Sequence, residues 1–190
     1  MSRSVFLVID VLNDFFHNQP LAGRRRELVG AINQLARSFR ESGQPIIWVR
    51  QEFKPDLSDA FLEMRKEHIH ITIKGTEGSQ ILPELDVQPV DAVIVKKRYS
   101  AFFGTTLDEI LATMRPDILV VGGINTHACV RTTVVDAYQR DYDIVVASEC
   151  TASNDEEHHE ITKRYLENRI ARFLSNSEIH GMVSSNNATG

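Results

Sequence analysis

Residues 118–138, ILVVGGINTHACVRTTVVDAY, constrain the fold of this chain more than any other stretch. Ile118, Leu119, Val120 and Val121 run into Gly122-Gly123 and then into Thr126-His127-Ala128-Cys129, after which Val130, Val134 and Ala137 recur at helical spacing. The pattern predicts a strand, a tight crossing and a helix. A strand without polar alternation is buried on both faces, which points to an open parallel α/β sheet with its ligand crevice at the carboxyl ends of the strands. A cysteine in the first turn of the following helix lies near unpaired backbone N–H groups and the positive end of the helix dipole, and both favour a thiolate.

The other strands follow the same logic. Residues 4–9 form the first and lead into Asp10; residues 45–49 form the second and lead into Arg50, Gln51 and Glu52; residues 91–95 form the third and lead into Lys96-Lys97-Arg98. A fifth covers 143–147 and a sixth 170–174. Helices are expected over 26–42, with Leu28, Ile32, Leu35, Ala36 and Phe39 inward, and after Thr105 or Thr106, with Leu107, Ile110 and Leu111 inward. Others are expected over 155–168, with Ile161, Tyr165 and Leu166 inward, and over 177–183. Between residues 53 and 89 the pattern loosens. A short helix over 57–65 is followed by His68-Ile69-His70-Ile71-Thr72-Ile73, whose period of two predicts an exposed edge or pocket rim. A metal pair at His68 and His70 is the other reading, but no third ligand accompanies them. The KGTEGS turn lacks the Walker spacing of a phosphate loop.

At 190 residues the chain suits one domain, over residues 1–183, with a polar tail at 184–190 expected to be disordered. No apolar run approaches the roughly 20 residues that span a bilayer. Val5–Ile9 meets Asp10 at once, so no signal peptide is read and a cytoplasmic location without membrane contact is expected. The Asn187-Ala188-Thr189 glycosylation pattern is then without use. A formal charge of -5 argues against a nucleic-acid partner, and Arg24-Arg25-Arg26 reads as the solvated start of a helix. Two cysteines do not make a disulfide scaffold.

Three strand ends carry complementary chemistry. Cys129 is a nucleophile by type, and Asp10, placed where packing alone would want an apolar residue, can take its proton. Capping of the loop that holds Asn13, Asp14 and His17 is the alternative for Asp10. One of the three cations after the third strand is placed to orient that carboxylate; Lys96 is preferred over Lys97, because three charges cannot all be buried cheaply. His127 is too close to Cys129 along one helix to converge on it. Phe15, Phe16, Arg50, Tyr99, Phe103, Asn125 and His127 are candidates for the substrate pocket, with Arg50 and Asn125 suited to a carboxylate or carbonyl.

The strand-end Asp10, the run Lys96-Lys97-Arg98-Tyr99-Ser100-Ala101-Phe102 with Gly104-Thr105 and Leu107, and Gly123-Ile124-Asn125-Thr126-His127-Ala128-Cys129-Val130 together resemble the isochorismatase-like cysteine hydrolase family. The resemblance runs from Ser4 to about Val183. It implies a three-layer Rossmann-like α/β fold around a central, mostly parallel six-stranded sheet, and an Asp10–Lys96–Cys129 catalytic triad. It also implies a cis peptide bond between Ile124 and Asn125 and an oxyanion hole formed by the N–H groups of Ala128 and Cys129. The nicotinamidase-like branch carries an Asp-x-His metal pattern after the second strand, where this chain has Arg50-Gln51-Glu52-Phe53. No metal and no cofactor are therefore expected. The implied activity is hydrolysis of a C–N bond in a small amide, ureide or carbamoyl substrate by an amidohydrolase, in a homo-oligomer. Isochorismatase-type vinyl-ether hydrolysis and an inactive small-molecule-binding member of the fold are the alternatives.

Overall fold

The apolar runs form strands buried on both faces, and no residue of β1 (Ser4–Ile9) is more than 1% exposed. The computed structural model describes residues 3–18, 20–167 and 169–184. Its other strands are β2 (Ile46–Gln51), β3 (Ala92–Lys96), β4 (Ile118–Gly123), β5 (Asp143–Thr151) and β6 (Arg172–Leu174). They form a six-stranded sheet in the order β3-β2-β1-β4-β5-β6, and every neighbouring pair is parallel. Successive connections wind outward to one side from β1 to β3 and to the other from β4 to β6. The crevice between the carboxyl ends of β1 and β4 is the switch point at which such sheets bind ligands.

Alternate residues of each strand feed two separate cores. Phe6 and Val8 pack with α1 (Leu21–Glu41) and α6 (Asn176–Ser184). Val5, Leu7 and Ile9 pack with α3 (Leu107–Met114), α4 (Arg131–Tyr138) and α5 (Glu156–Leu166). The result is the expected helix–sheet–helix arrangement.

The structure corrects several local expectations. Helix α1 begins at Leu21, which is buried, and so takes in the arginine run; Arg25 pairs with Glu84 at 2.9 Å. The helix after β2, α2, spans Leu62–Glu67 because Leu57 is buried with φ +58, a conformation in which no right-handed helix can start. No strand forms over 68–73. His68 and Thr72 have φ +52 and +53, which breaks the extended run, and only Ile73 forms a bridge, to Phe53. Asp155 caps α5 through the His158 N–H, but the buried stripe is Thr162 and Leu166; Ile161 and Tyr165 face outward, 39% and 49% exposed. Arg131 lies 4.6 Å over the Tyr165 ring and keeps it on that outer face. Residue 168, expected at the end of this helix, lies outside the described residues. So do 185–190, with the tail and its glycosylation pattern, whereas Ser184 ends α6. Among the described residues no helix is long and apolar enough to cross a membrane.

Candidate active site

Asp10 ends β1 with φ +54, a conformation that Asp tolerates better than most residues. Its N–H still donates to the Val49 carbonyl at 2.8 Å and its carbonyl accepts from the Leu12 N–H at 2.8 Å, so the chain leaves the sheet while the carboxylate stays buried. Lys96, the last residue of β3, pairs in register with Gln51 on β2 and is fully buried. Its long side chain reaches past β2 to the switch point, where Nζ lies 2.7 Å from Asp10 Oδ2 and 3.4 Å from Cys129 Sγ and donates to the Arg98 carbonyl at 2.9 Å. Lys97 points elsewhere, toward Asp59 at 3.0 Å.

Cys129 is set by a turn that depends on Gly123. At φ +115 that residue approaches β1 so closely that a Cβ would lie 2.0 Å from the Ile9 carbonyl oxygen. The Ile124–Asn125 peptide bond is cis. Residues Thr126–Val130 form a single wide turn of π type before α4, a local form common at functional sites. Thr126 anchors it to β5 by donating its N–H and its hydroxyl to the Ala152 carbonyl, both at 3.0 Å, and to α5 through His159 Nδ1 at 2.9 Å. From the other side, Thr133 Oγ1 donates to the Cys129 carbonyl at 2.7 Å and accepts from the Ala101 N–H at 3.0 Å. The Ala128 N–H donates to the Asn125 carbonyl at 3.0 Å, so an oxyanion at that donor would have to share it.

The electrostatics reverse one expectation. Burial pushes the Cys129 thiol above its ordinary range, the Asp10 carboxylate pushes it further, and Lys96 opposes both without prevailing. Burial alone would lower Lys96, but the charges of Asp10 and the sulfur raise it. Both directions favour the ammonium at Lys96 and the protonated thiol at Cys129. Burial and the carboxylate next to the sulfur oppose the helix terminus, which alone would favour a thiolate. His127 does not join this group. Its Nδ1 lies 2.6 Å from Ser153 Oγ, its ring centroid lies 5.8 Å from that of His158 with the rings tilted, and burial holds it below the usual imidazole range.

Cys129 is reached from a cavity of about 480 Å³ whose lining includes Phe15, Tyr99, Asn125 and His127. Three candidates do not line it. Phe16 is 4% exposed and packs into the α1 core; Arg50 is held by Glu52 at 3.0 Å and by the Ser79 carbonyl at 3.3 Å; Phe103 is 66% exposed on the surface. Gln51, which like Arg50 suits a carbonyl or carboxylate, lines the cavity, and Phe61, Leu62, Glu63, Met64 and Asn154 line it without being evident from the sequence. Gln51 was visible as a polar residue beyond β2. The α2 residues gave no signal, since their place depends on the turn at Leu57.

No metal site involves the cavity among the described residues. His68 and His70 are exposed, with His70 Nδ1 2.9 Å from the His68 carbonyl oxygen. Glu156, His159 and Glu160 on α5 bring ligand atoms within 4.8 Å of one another, but none of them lines the cavity.

Comparison with known proteins is decisive for the family. The isochorismatase domain matches residues 4–178. The chain belongs to the isochorismatase family. A relative from Arabidopsis thaliana, described as a probable inactive nicotinamidase, is 33% identical over 83% of this chain and 84% of its own. An isochorismatase family protein from Desulfovibrio vulgaris superposes with a TM-score of 0.87 at 26% identity, covering 97% of this chain and all (100%) of that one. N-carbamoylsarcosine amidase from Thermoplasma acidophilum does so with a TM-score of 0.76 at 29% identity, covering 92% and 96%. Within the isochorismatase family, the fold and the arrangement of Lys96 beside Cys129 are consistent with a cysteine hydrolase.

Proposed function

We propose that this protein is an amidohydrolase that uses Cys129 to cleave a C–N bond of a small amide, ureide or carbamoyl substrate through an acyl-enzyme. The observation that carries this reading is Lys96 Nζ standing between Asp10 Oδ2 at 2.7 Å and Cys129 Sγ at 3.4 Å, at the base of an accessible cavity. A neutral thiol beside a carboxylate needs proton transfer on attack, and Asp10 is the base in reach. The Cys129 proton passes to Asp10 as sulfur bonds to the substrate carbonyl carbon, and Lys96 stabilises the charge that develops at sulfur. The oxyanion faces the Cys129 N–H, with the Ala128 N–H shared. Collapse breaks the C–N bond, and the proton on Asp10 goes to the departing nitrogen. Water then gives its proton to Asp10 and attacks the thioester; the acid product leaves and the thiol recovers its proton.

The test is incubation with primary amides, ureides and isochorismate, with ammonia and mass detection of products. Ammonia release is expected with the wild type and a loss of at least about a thousandfold with Cys129→Ala and with Asp10→Asn, as for other nucleophile–base units. An acyl adduct on Cys129 should be seen in rapidly quenched samples. Undiminished turnover by Cys129→Ala would rule the covalent route out. Isochorismate hydrolysis that survives loss of the thiol would support the vinyl-ether reading, in which Asp10 acts alone.

A further inference from the structure

We infer that the cavity selects an uncharged amide with an apolar flank, and that the side-chain amide of Gln51 holds its polar end. This rests on the C–N hydrolase reading for which bond is cut, but not for the charge of the ligand. Gln51 lines the cavity, is 5% exposed, and its Nε2 is buried with no hydrogen-bond partner among the described residues. A buried donor left unpaired is costly, so the position is built for a partner that the protein itself does not supply. A half-turn of the terminal amide exchanges its donor and acceptor, which lets Gln51 pair with a carboxamide or ureide in either sense. A carboxylate, with acceptors only, uses half of that capacity.

The charges around the cavity point the same way. Each nearby cation is already engaged: Lys96 with Asp10 at 2.7 Å, Arg50 with Glu52 at 3.0 Å, and Lys97 with Asp59 at 3.0 Å. Arg98 donates to the carbonyls of Asp59 at 2.8 Å and Lys97 at 2.6 Å. The carboxylate that lines the cavity, Glu63, has no such partner to offset it among the described residues and repels an anion. Asn125 and Asn154 add neutral polar surface; Oδ1 of Asn125 is taken by the Asn154 N–H at 2.9 Å, which leaves Nδ2 as its donor. The rest of the wall is His127, whose Nδ1 lies 2.6 Å from Ser153 Oγ, and apolar surface: Phe15, Leu62, Met64, and the rings of Phe61 and Tyr99 with centroids 4.7 Å apart. Burying a carboxylate here would cost its hydration without supplying a free countercharge.

The test compares benzamide with benzoate, which share a ring and differ in the charge of the head group. Binding is measured by ligand-observed NMR titration on Cys129→Ala protein, which cannot form an acyl-enzyme. Benzamide is expected to bind about tenfold more tightly than benzoate, the worth of one good hydrogen bond and an unfavourable charge avoided. Adding Gln51→Met should weaken benzamide several-fold and leave benzoate unchanged, with Gln51→Leu as a second uncharged variant and thermal unfolding as the check that each is folded. Benzoate binding as tightly as benzamide, saturable binding of neither, or benzamide affinity undiminished by both Gln51 variants overturns the inference. A preference for benzamide in a protein whose wild type releases no ammonia from any amide would leave the charge selection standing and remove the C–N hydrolase reading instead.

Discussion

Lys96 Nζ lies 2.7 Å from one buried group and 3.4 Å from another, and which of the three carries a charge governs both chemistry and stability. Removing one member of a buried ion pair leaves the other uncompensated, at a cost of about 3–5 kcal/mol. Lys96→Met is expected to lose that much by urea unfolding at neutral pH, and Asp10→Asn combined with Lys96→Met to recover part of it, since no unpaired charge is then buried. Equal losses in the single and double variants would mean that packing, not charge, accounts for the effect. The thiols give a second prediction. Burial raises both Cys129 and Cys150 in the folded protein, so each keeps its proton after the unfolded chain has begun to lose its own near pH ~8.5. Above that pH the unfolded state binds fewer protons than the folded one, and stability falls as pH rises, by up to about 1.4 kcal/mol per pH unit for each thiol. Below it the contribution is constant. Replacing both cysteines by alanine should flatten the decline between pH 8.5 and 10 in equilibrium urea titrations (roughly the window set by ordinary thiol and lysine values). A slope unchanged by the replacement would contradict the raised thiols.

At the scale of elements, the turn from β4 to α4 hinges on one glycine that the sequence cannot replace. A methyl group at Gly123 would lie 2.0 Å from the Ile9 carbonyl oxygen and 2.5 Å from the Ile9 nitrogen, in a φ that side-chain-bearing residues avoid. Gly123→Ala therefore pushes β4 off β1 and moves Cys129 from Asp10; a loss of more than about 3 kcal/mol and of all turnover is expected. Gly30, in mid-α1 with nothing within 4 Å of its added Cβ, is the matched control. Gly30→Ala should stabilise the protein by about 0.5–1 kcal/mol, because alanine gives up less backbone freedom in a helix. The legibility of elements follows the same division between local and distant causes. The places of Asp10 and Lys96 at strand ends and of Cys129 in the turn after β4 could be read because apolar runs and their polar stops lie together in the chain. Helix α2 and the failed strand over 68–73 could not, since Leu57 and Thr72 take left-handed conformations where they are buried by tertiary packing, and His68 takes one as the cap that ends α2. Tyr165 misled the reading of α5 for a related reason: its partner, Arg131, is on another helix.

At the scale of the whole molecule, the order β3-β2-β1-β4-β5-β6 explains why residues distant in sequence form one site, and also why the pocket was only half legible. The sheet determines where strand ends go, whereas the cavity wall comes from α2 and loops whose packing has no short-range pattern. The two cores share the strands as a common wall, so loss of one should propagate to the other. Helix α6 tests this, because it closes the α1 side of the sheet with Ile179 and Val183 fully buried. It is tied there by Asn176 Nδ2 to the Ala31 carbonyl at 2.9 Å, by Cys150 Sγ to Asn176 Oδ1 at 3.2 Å, and by His180 Nδ1 to Ser38 Oγ at 3.0 Å. Ile179→Ala should cost about 2–5 kcal/mol, from lost burial and the cavity left behind, out of a total stability of roughly 5–15 kcal/mol. The single tryptophan, Trp48, sits on β2 in the same core and reports on it by fluorescence, while circular dichroism reports on every helix. If residues 3–184 unfold as one unit, both signals move to the same lower urea midpoint in Ile179→Ala. Fluorescence changing at a lower urea concentration than circular dichroism would mean that the α6 side opens alone, and the single-domain reading would have to give way to two layers of unequal stability.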